Sequence, residues 1–325
     1  MIDRLFLVRS GSTDPRHNLA LEAVLLETAE ENRMILYLWQ NDNTVVIGRN
    51  QNILKECNLK NTERDGVTIV RRPSGGGAVY HDLGNLNFTM ITDDRNFDIP
   101  GQTKIIMNAL EKLGVQTEMS GRNDILYQGK KISGNAYQHH NGFSLHHGTL
   151  LVSSDLAKMP LYLNSDPSKL KAKGVDSIRS RVMNLKEIRE EADIQTLMKL
   201  ITESCQEEFS LTAKEDFVID EALLKQEEER FSSETWTYGK NPPYDLVLEH
   251  RFDWGGVRME LRVREGKIDD LSVWSDAMDA EISTRLKECL CDCVCAPSYM
   301  YEALRKYSRQ QEFCDIAEWI RNQEV

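Results

Sequence analysis

Val70-Arg71-Arg72-Pro73-Ser74-Gly75-Gly76-Gly77-Ala78-Val79-Tyr80-His81-Asp82 joins two arginines to three consecutive glycines, and the strand-like run Val67-Thr68-Ile69-Val70 leads into them. Glycine lets backbone N–H groups turn toward a bound group without obstruction from a Cβ. Arginine adds a planar, permanently charged fork suited to phosphate or carboxylate oxygens. Together they describe an anion cradle. It is not a P-loop, because no Gly-Lys-Ser/Thr follows, nor a dinucleotide fingerprint, because the G-x-G-x-x-G spacing is missing. Taken alone, three glycines also suit an ordinary hairpin corner beside exposed arginines.

Working outward, Asp14-Pro15 ahead of Asn18-Leu19-Ala20-Leu21-Glu22 has the signature of a helix start. Met34 to Trp39 and Thr44 to Gly48 read as strands joined by a turn at Asn41-Asp42-Asn43. After the glycines, Ala78 to His81 and Leu86 to Ile91 flank Asp82-Leu83-Gly84-Asn85, a hairpin connection by its residues. Thr103 to Leu113 is amphipathic and ends at Gly114; Asp124 to Gly134 is a hairpin turning at Gln128-Gly129; His146 to Val152 is a further strand. Leu185 to Phe209 reads as helical. Asn241-Pro242-Pro243-Tyr244 marks a boundary between domains 1–243 and 244–325, the second with three strands and a helical tail from about Glu281. The fold class is α/β (α+β), with a mixed, largely antiparallel sheet and a small α+β C-terminal domain.

The chain has 325 residues, 40% hydrophobic and 28% charged, ordinary proportions for a globular protein. A net charge of -12 argues against a nucleic-acid binder, which needs a broad positive surface. No apolar run reaches membrane-spanning length and the start carries no signal-peptide pattern, so the cytoplasm is expected. Seven cysteines, an odd number in a long chain, do not suggest a disulfide scaffold. Cys289, Cys291, Cys293 and Cys295 alternate, a spacing that suits small hydrophobes better than a tetrahedral zinc site.

The candidate chemistry is electrostatic. Lys130 and Lys131 precede Ser133-Gly134, where small residues permit close approach of a ligand. A lysine aimed inward there can bridge two anions that must react with each other. Asp124 is a hard oxygen ligand for Mg²⁺ on phosphates, or a turn cap. His81 and His147 suit pocket lining better than metal binding, and Trp39 can wall an apolar slot. No cysteine lies between Cys57 and Cys205, which disfavours a thioester-forming nucleophile.

In this order, Asn18 to Glu22, Val45 to Asn52, Arg71 to Asp82, Gly121-Arg122-Asn123-Asp124-Ile125, Lys131 to Ala136, His147 to Leu151, and Lys171 to Val175 with Arg179 to Val182 closely resemble the lipoate-protein ligase A family. Phe252-Asp253-Trp254-Gly255-Gly256 extends the likeness into the C-terminal domain. The resemblance implies a catalytic domain shared in fold with biotin-protein ligases. It implies an ATP-dependent ligase that makes lipoyl-AMP with Mg²⁺, then lipoylates a lysine of acceptor lipoyl domains. Such acceptors are 2-oxoacid dehydrogenase E2 subunits and the glycine cleavage H protein; no nucleic acid or membrane partner is implied. Lys131 would be catalytic and touch both the lipoate carboxylate and the α-phosphate. Arg72, Gly77, Ala78, Val79 and Tyr80, with Arg71, Ser74, Gly75 and Gly76, would bind ATP. Trp39, Glu22, His81 and His147, with Arg72, Gly76 and Lys131, would surround lipoate, and Asp124 would hold Mg²⁺. Pro73 and Asn135 depart from the family's usual small residues. The alternatives are an ATP-independent lipoyl or octanoyl transferase, a non-catalytic lipoate- or nucleotide-binding member, and a biotin ligase.

Overall fold

The structure, a computed structural model, describes residues 1–120, 123–164, 182–238, 245–264 and 266–322. Two compact units divide it. The first comprises Met1–Ile47, Ile53–Arg72 and Ala78–Thr237; the second comprises Gly48–Asn52, Pro73–Gly77 and Tyr238–Val325. The boundary read at Asn241 to Tyr244 lies outside the described residues, as do Gly121, Arg122 and the Lys171–Val175 and Arg179–Arg181 stretches.

The first unit opens with β1 (Arg4–Arg9), α1 (Pro15–Glu27), β2 (Arg33–Trp39), β3 (Thr44–Ile47), α2 (Ile53–Glu56), α3 (Leu59–Arg64), β4 (Thr68–Arg71) and β5 (Val79–His81). It continues with β6 (Asn85–Asp93), α4 (Ile99–Lys112), β7 (Glu118–Ser120), β8 (Asp124–Tyr127), β9 (Lys130–His140) and β10 (Phe143–Leu151). Helices α5 (Met159–Tyr162), α6 (Leu185–Ile188), α7 (Ile194–Phe209), α8 (Glu221–Ser232) and α9 (Glu234–Tyr238) follow. Seven strands form the main sheet in the order β1-β2-β6-β10-β9-β8-β7, and β4-β3-β5 form a small one. Pairing is antiparallel throughout except for β1 with β2 and β3 with β4.

Local sequence explains the ends of these elements. Asp14 accepts from the Arg16 amide at 2.8 Å, and Pro15, whose missing N–H would find no helical partner anyway, opens α1. Gly114 adopts φ +80° past the end of α4, a left-handed stop that costs glycine nothing sterically. Gln128 and Gly129 both take positive φ, the turn whose twist matches a two-residue hairpin between β8 and β9.

Strands β2 and β3 follow one another as read, β2 in the main sheet and β3 in the small one. Two sequence readings are corrected. Strand β5 pairs with β3 while β6 enters the main sheet between β2 and β10, so Asp82 to Asn85 is a turn linking two sheets and not a hairpin. The stretch from Leu185 to Phe209 is two helices, because Asp193 accepts from the Thr196 amide at 2.8 Å and starts α7 afresh.

One face of the main sheet packs Leu36, Leu38, Leu86, Phe88, Met90, Ile125 and Ile132 against Ile106 and Leu110 of α4 and Leu197 and Ile201 of α7. Its other face joins Ile35, Tyr37, Trp39, Ile91 and Leu145 to Leu21, Val24 and Leu25 of α1, with Val46 and Val70 of the small sheet. Each fully buried aliphatic side chain contributes roughly 1.5–3 kcal/mol, so the sandwich is held mainly by these two layers.

The second unit has its own core. An antiparallel sheet of β11 (Leu246–Phe252), β12 (Gly255–Arg264) and β13 (Lys267–Ser275) is covered by α10 (Ile282–Leu290), α11 (Pro297–Leu304) and α12 (Gln311–Arg321). Two short stretches from earlier in the chain belong to it. The Asn50 side chain reaches the Ala280 carbonyl at 3.1 Å, and the Gly76 amide donates to the Ala277 carbonyl at 2.8 Å. Cys289 ends inside α10, whereas the Ile268 amide donates to the Cys293 carbonyl and the Cys295 amide to the Gly266 carbonyl. All seven cysteines are free. Burial pushes the Cys289, Cys291, Cys293 and Cys295 thiols up, which keeps them protonated beside the core.

A Cβ on Gly84 would fall on the Ser153 backbone, which has no room to yield. Gly84→Ala is therefore expected to lower stability by about 1–3 kcal/mol; an unchanged Tm in thermal unfolding would contradict this close approach.

Candidate active site

Strand β6 is buried at every position. Its even-numbered apolar residues face α4 and α7, so Asn85, Asn87, Thr89 and Ile91 share the opposite face. Register aligns this face across the sheet. One row runs Tyr37, Thr89, His147 and Ala136; the next runs Trp39, Asn87 and Thr149, whose Oγ1 accepts from the Gly134 amide at 3.3 Å. Gly134 is in turn opposite Asp124 on β8.

Lys131 reaches this face through an irregularity. Opposite β8 the register slips, with Ile125 facing Ser133 but Leu126 facing Lys131, so β9 carries an extra residue. In a regular strand, residues 131 and 134 would point to opposite faces; a bulge removes that alternation. Accordingly, a Cβ added to Gly134 would lie 2.7 Å from Lys131 Nζ and 2.9 Å from its Cε. Lys131 Nζ is 2.7 Å from Asp124 Oδ1, and both side chains are about one-third exposed (35% and 33%). A pair so exposed adds at most about 1 kcal/mol to stability. What it supplies is a fixed direction for the ammonium.

One strand over, hydrogen bonds form a chain. Trp39 Nε1 donates to Thr89 Oγ1 at 3.1 Å, Thr89 donates to Glu22 Oε1 at 2.6 Å, and the same oxygen meets His147 Nδ1 at 2.9 Å. Glu22 is 2% exposed, so this carboxylate has left water and depends on those partners. Arg72 is buried too. Its amide donates to the Ile47 carbonyl at 2.9 Å, and burial pulls its pKa down to about 10 against the opposing pull of Glu22, leaving it charged at neutral pH. His81 is held neutral: burial first, then Arg72 and His147, bring its pKa down to about 3. His146, on the core side of β10, is brought to about 3 by burial and His147.

The sequence-predicted residues thus fall into three groups. Glu22, Trp39 and His147 are linked directly, Arg72 and His81 act on them electrostatically, and Lys131 pairs with Asp124. Arg71 Nη2 donates to the Thr237 carbonyl at 2.7 Å, and the Arg71 carbonyl accepts from Trp236 Nε1 at 2.8 Å. Val79 and Tyr80 pair with β3, and the Tyr80 ring is core, with its hydroxyl on Asn43 at 3.2 Å; Ala78 precedes that strand. Ser74, Gly75, Gly76 and Gly77 belong to the second unit. There the Ser74 carbonyl accepts from the Arg49 amide, Gly76 takes φ +89°, and a Cβ on Gly75 would strike the Ala277 and Met278 carbonyls. Sequence reasoning missed Thr89 and Asn41, whose Nδ2 lies 3.3 Å from His81 Nδ1; alternation along Leu86 to Ile91 put Thr89 on the site face, but nothing local marked its partners.

A family model for the "Lipoyl protein ligase A/B catalytic domain" matches residues 14–206, and one for the "Bacterial lipoate protein ligase C-terminus" matches 241–320. The chain belongs to the lipoate-protein ligase A family. A curated relative from Psychrobacter cryohalolentis, "Lipoate-protein ligase A", is 41% identical over 299 residues, which are 89% of this chain and 88% of the relative. Among solved structures, P. falciparum LipL1 in complex with lipoate superposes with a TM-score of 0.87 at 28% identity, covering 98% of this chain and all (100%) of that one. A lipoate-protein ligase A bound with ATP gives 0.64 at 28% identity, covering 74% of this chain and 99% of that one. Both family models are described as those of lipoyl or lipoate protein ligases, the second covering the C-terminal domain. No helix among the described residues is long and apolar enough to cross a membrane.

Two buried neutral histidines make this ligase acid-sensitive. An unfolded histidine takes up a proton below its ordinary value near 6.5, whereas native His81 and His146 do so only near 3. The unfolded state therefore binds more protons between those limits, and stability falls as pH falls. Each site is expected to remove about 2 kcal/mol at pH 5 relative to pH 7. Replacing His146 with Phe should flatten that part of the Tm-against-pH curve; an unaltered slope would contradict the assignment.

Proposed function

We propose that this chain is an ATP-dependent lipoate-protein ligase acting in two half-reactions. A lipoate carboxylate oxygen attacks the α-phosphorus of ATP, and the bond to the β-phosphate oxygen breaks, giving lipoyl-AMP and pyrophosphate. The neutral ε-amine of an acceptor lysine then attacks the acyl carbon; AMP leaves with the acyl–oxygen electron pair, the nitrogen loses a proton, and an amide remains. The acceptors are lipoyl-domain proteins such as 2-oxoacid dehydrogenase E2 subunits and the glycine cleavage H protein. The compartment is the cytoplasm, in keeping with seven unpaired thiols.

The observation that carries this reading is the Lys131–Asp124 pair, lifted by the β9 bulge onto the same face as Glu22, Trp39 and His147. Carboxylate and phosphate repel each other, so the first step needs a cation between them more than it needs a base. Lys131 supplies that charge and Asp124 holds its direction. Arg72, charged and already desolvated, is a second anion-binding group. The apolar acyl chain lies toward Trp39, whose indole is held by Thr89.

Asp124 also suits Mg²⁺. Among the described residues no group of three or more His, Cys, Asp or Glu side chains is placed to chelate a metal. A partly exposed single carboxylate fits an ion that completes its shell with phosphate oxygens and water. Bound there, Mg²⁺ would offset phosphate charge.

The test is pyrophosphate exchange into ATP, expected only when lipoate is present; an ATP-independent transferase or a scaffold would show none. Lys131→Ala should reduce that exchange by about 10²–10³-fold with an unchanged Tm, and near-normal exchange would remove Lys131 from the chemistry. Gly134→Ala, which pushes the Lys131 ammonium aside, should slow exchange while leaving ATP binding intact, as measured by titration calorimetry.

A further inference from the structure

We infer that His81 serves this ligase as a fixed hydrogen-bond donor, presenting a neutral Nε2–H to an acceptor atom of the bound acyl substrate. The inference rests on the reading above, that this face of the sheet receives the acid, and adds a role for one ring nitrogen.

A chain of amides sets the tautomer. Asn18 Nδ2 lies 2.8 Å from the Gln40 carbonyl, which can only accept, so nitrogen must occupy that position. The same Nδ2 also faces the Ser12 carbonyl at 3.2 Å and Asn41 Oδ1 at 3.0 Å, and an oxygen is the only Asn41 amide atom that can face an NH2 group, while Asn18 Oδ1 takes the Ser10 hydroxyl at 2.5 Å. Asn41 is thereby oriented with its Nδ2 toward His81 Nδ1, 3.3 Å away. A ring nitrogen that accepts from an amide carries no proton, so the proton of neutral His81 sits on Nε2.

That Nε2–H is buried, in a residue 3% exposed, and has no hydrogen-bond partner among the described residues. Leaving such a donor unpaired is unfavourable, which is why buried N–H groups are almost always satisfied. The charged and titratable groups acting on the ring are Arg72 and His147, with Glu22 bonded to His147. All three belong to the residues around the acyl slot, so a ligand atom there completes the set. Neutrality also matters: a second cation beside Arg72 would be repelled, whereas a neutral N–H donates without that penalty. The acceptor is either a sulfur of the dithiolane ring or an oxygen at the carboxyl end, and the two can be told apart.

The measurement is ¹⁵N NMR of the imidazoles in the full chain, with and without lipoate. The expected result is an Nε2–H tautomer for His81 that does not titrate between pH 5 and 8 and whose Nε2 resonance moves when lipoate is added. His81→Phe should raise the KM for lipoate about 10-fold with a much smaller change in kcat. His81→Gln, which keeps an N–H at similar reach, should recover most of the loss. If the acceptor is sulfur, the KM for octanoate is unmoved; if it is an oxygen, both acids weaken alike. A proton on Nδ1, an unmoved resonance on adding lipoate, a titration in the neutral range, or equal impairment of the Phe and Gln variants would overturn the inference. Should the Phe variant not fold, the wild-type spectrum decides. Failure here leaves lipoate-dependent exchange by the unaltered chain intact, whereas absence of that exchange would remove the ligase reading whatever the tautomer.

Discussion

Burial of both faces of β6 is the constraint from which the rest follows. All nine of its residues are buried, yet only one face is apolar. Leu86, Phe88 and Met90 need only packing, and α4 and α7 supply it. Asn85, Asn87 and Thr89 on the other face must exchange water for protein partners or leave polar groups stranded. Thr89 does so by bonding Trp39 and Glu22, and Glu22 in turn holds His147. Asn85 Nδ2 donates to Asn87 Oδ1 at 3.1 Å, while Asn85 Oδ1 and Asn87 Nδ2 have no partner among the described residues, so the linkage of Trp39, Glu22 and His147 is an outcome of satisfying Thr89.

The two ends of the site obey different electrostatics. Lys131 and Asp124 are partly wet, so their attraction is screened and serves aim more than stability. Arg72, Glu22 and His81 have left water; burial lowers the pKa of Arg72 and of His81, and Arg72 and His147 lower that of His81 further. A wet, steerable cation suits charged groups that arrive and depart during the reaction. A dry cluster of set charge and tautomer suits a part of the substrate that stays in place.

How much was legible in the sequence depended on range. The α1 start at Asp14-Pro15, the α4 stop at Gly114 and the Gln128-Gly129 turn each rest on local backbone chemistry and are found where the residues indicate. The hairpin expected from the adjacency of β5 and β6 did not form, since the two are divided between two sheets. A turn dictates a reversal of direction; which strand lies alongside is decided by the burial of whole faces. Arg71 shows the same limit, for nothing in its local sequence indicated that its guanidinium would donate to the carbonyls of Trp236 and Thr237.

By itself the sequence determined most element types, the cationic and glycine-rich character of the Arg71 to Gly77 stretch, and family membership, because these reside in residue identity and order. Tertiary structure alone decided that Lys131 shares a face with Gly134, since strand alternation forbids it and only the bulge against β8 permits it. It also decided which nitrogen of His81 holds the proton, because that answer passes from the Gln40 carbonyl through Asn18 and Asn41, residues brought together from separate elements. Hydrogen-bond direction is a property of neighbours in space, and those neighbours exist only once the chain has folded.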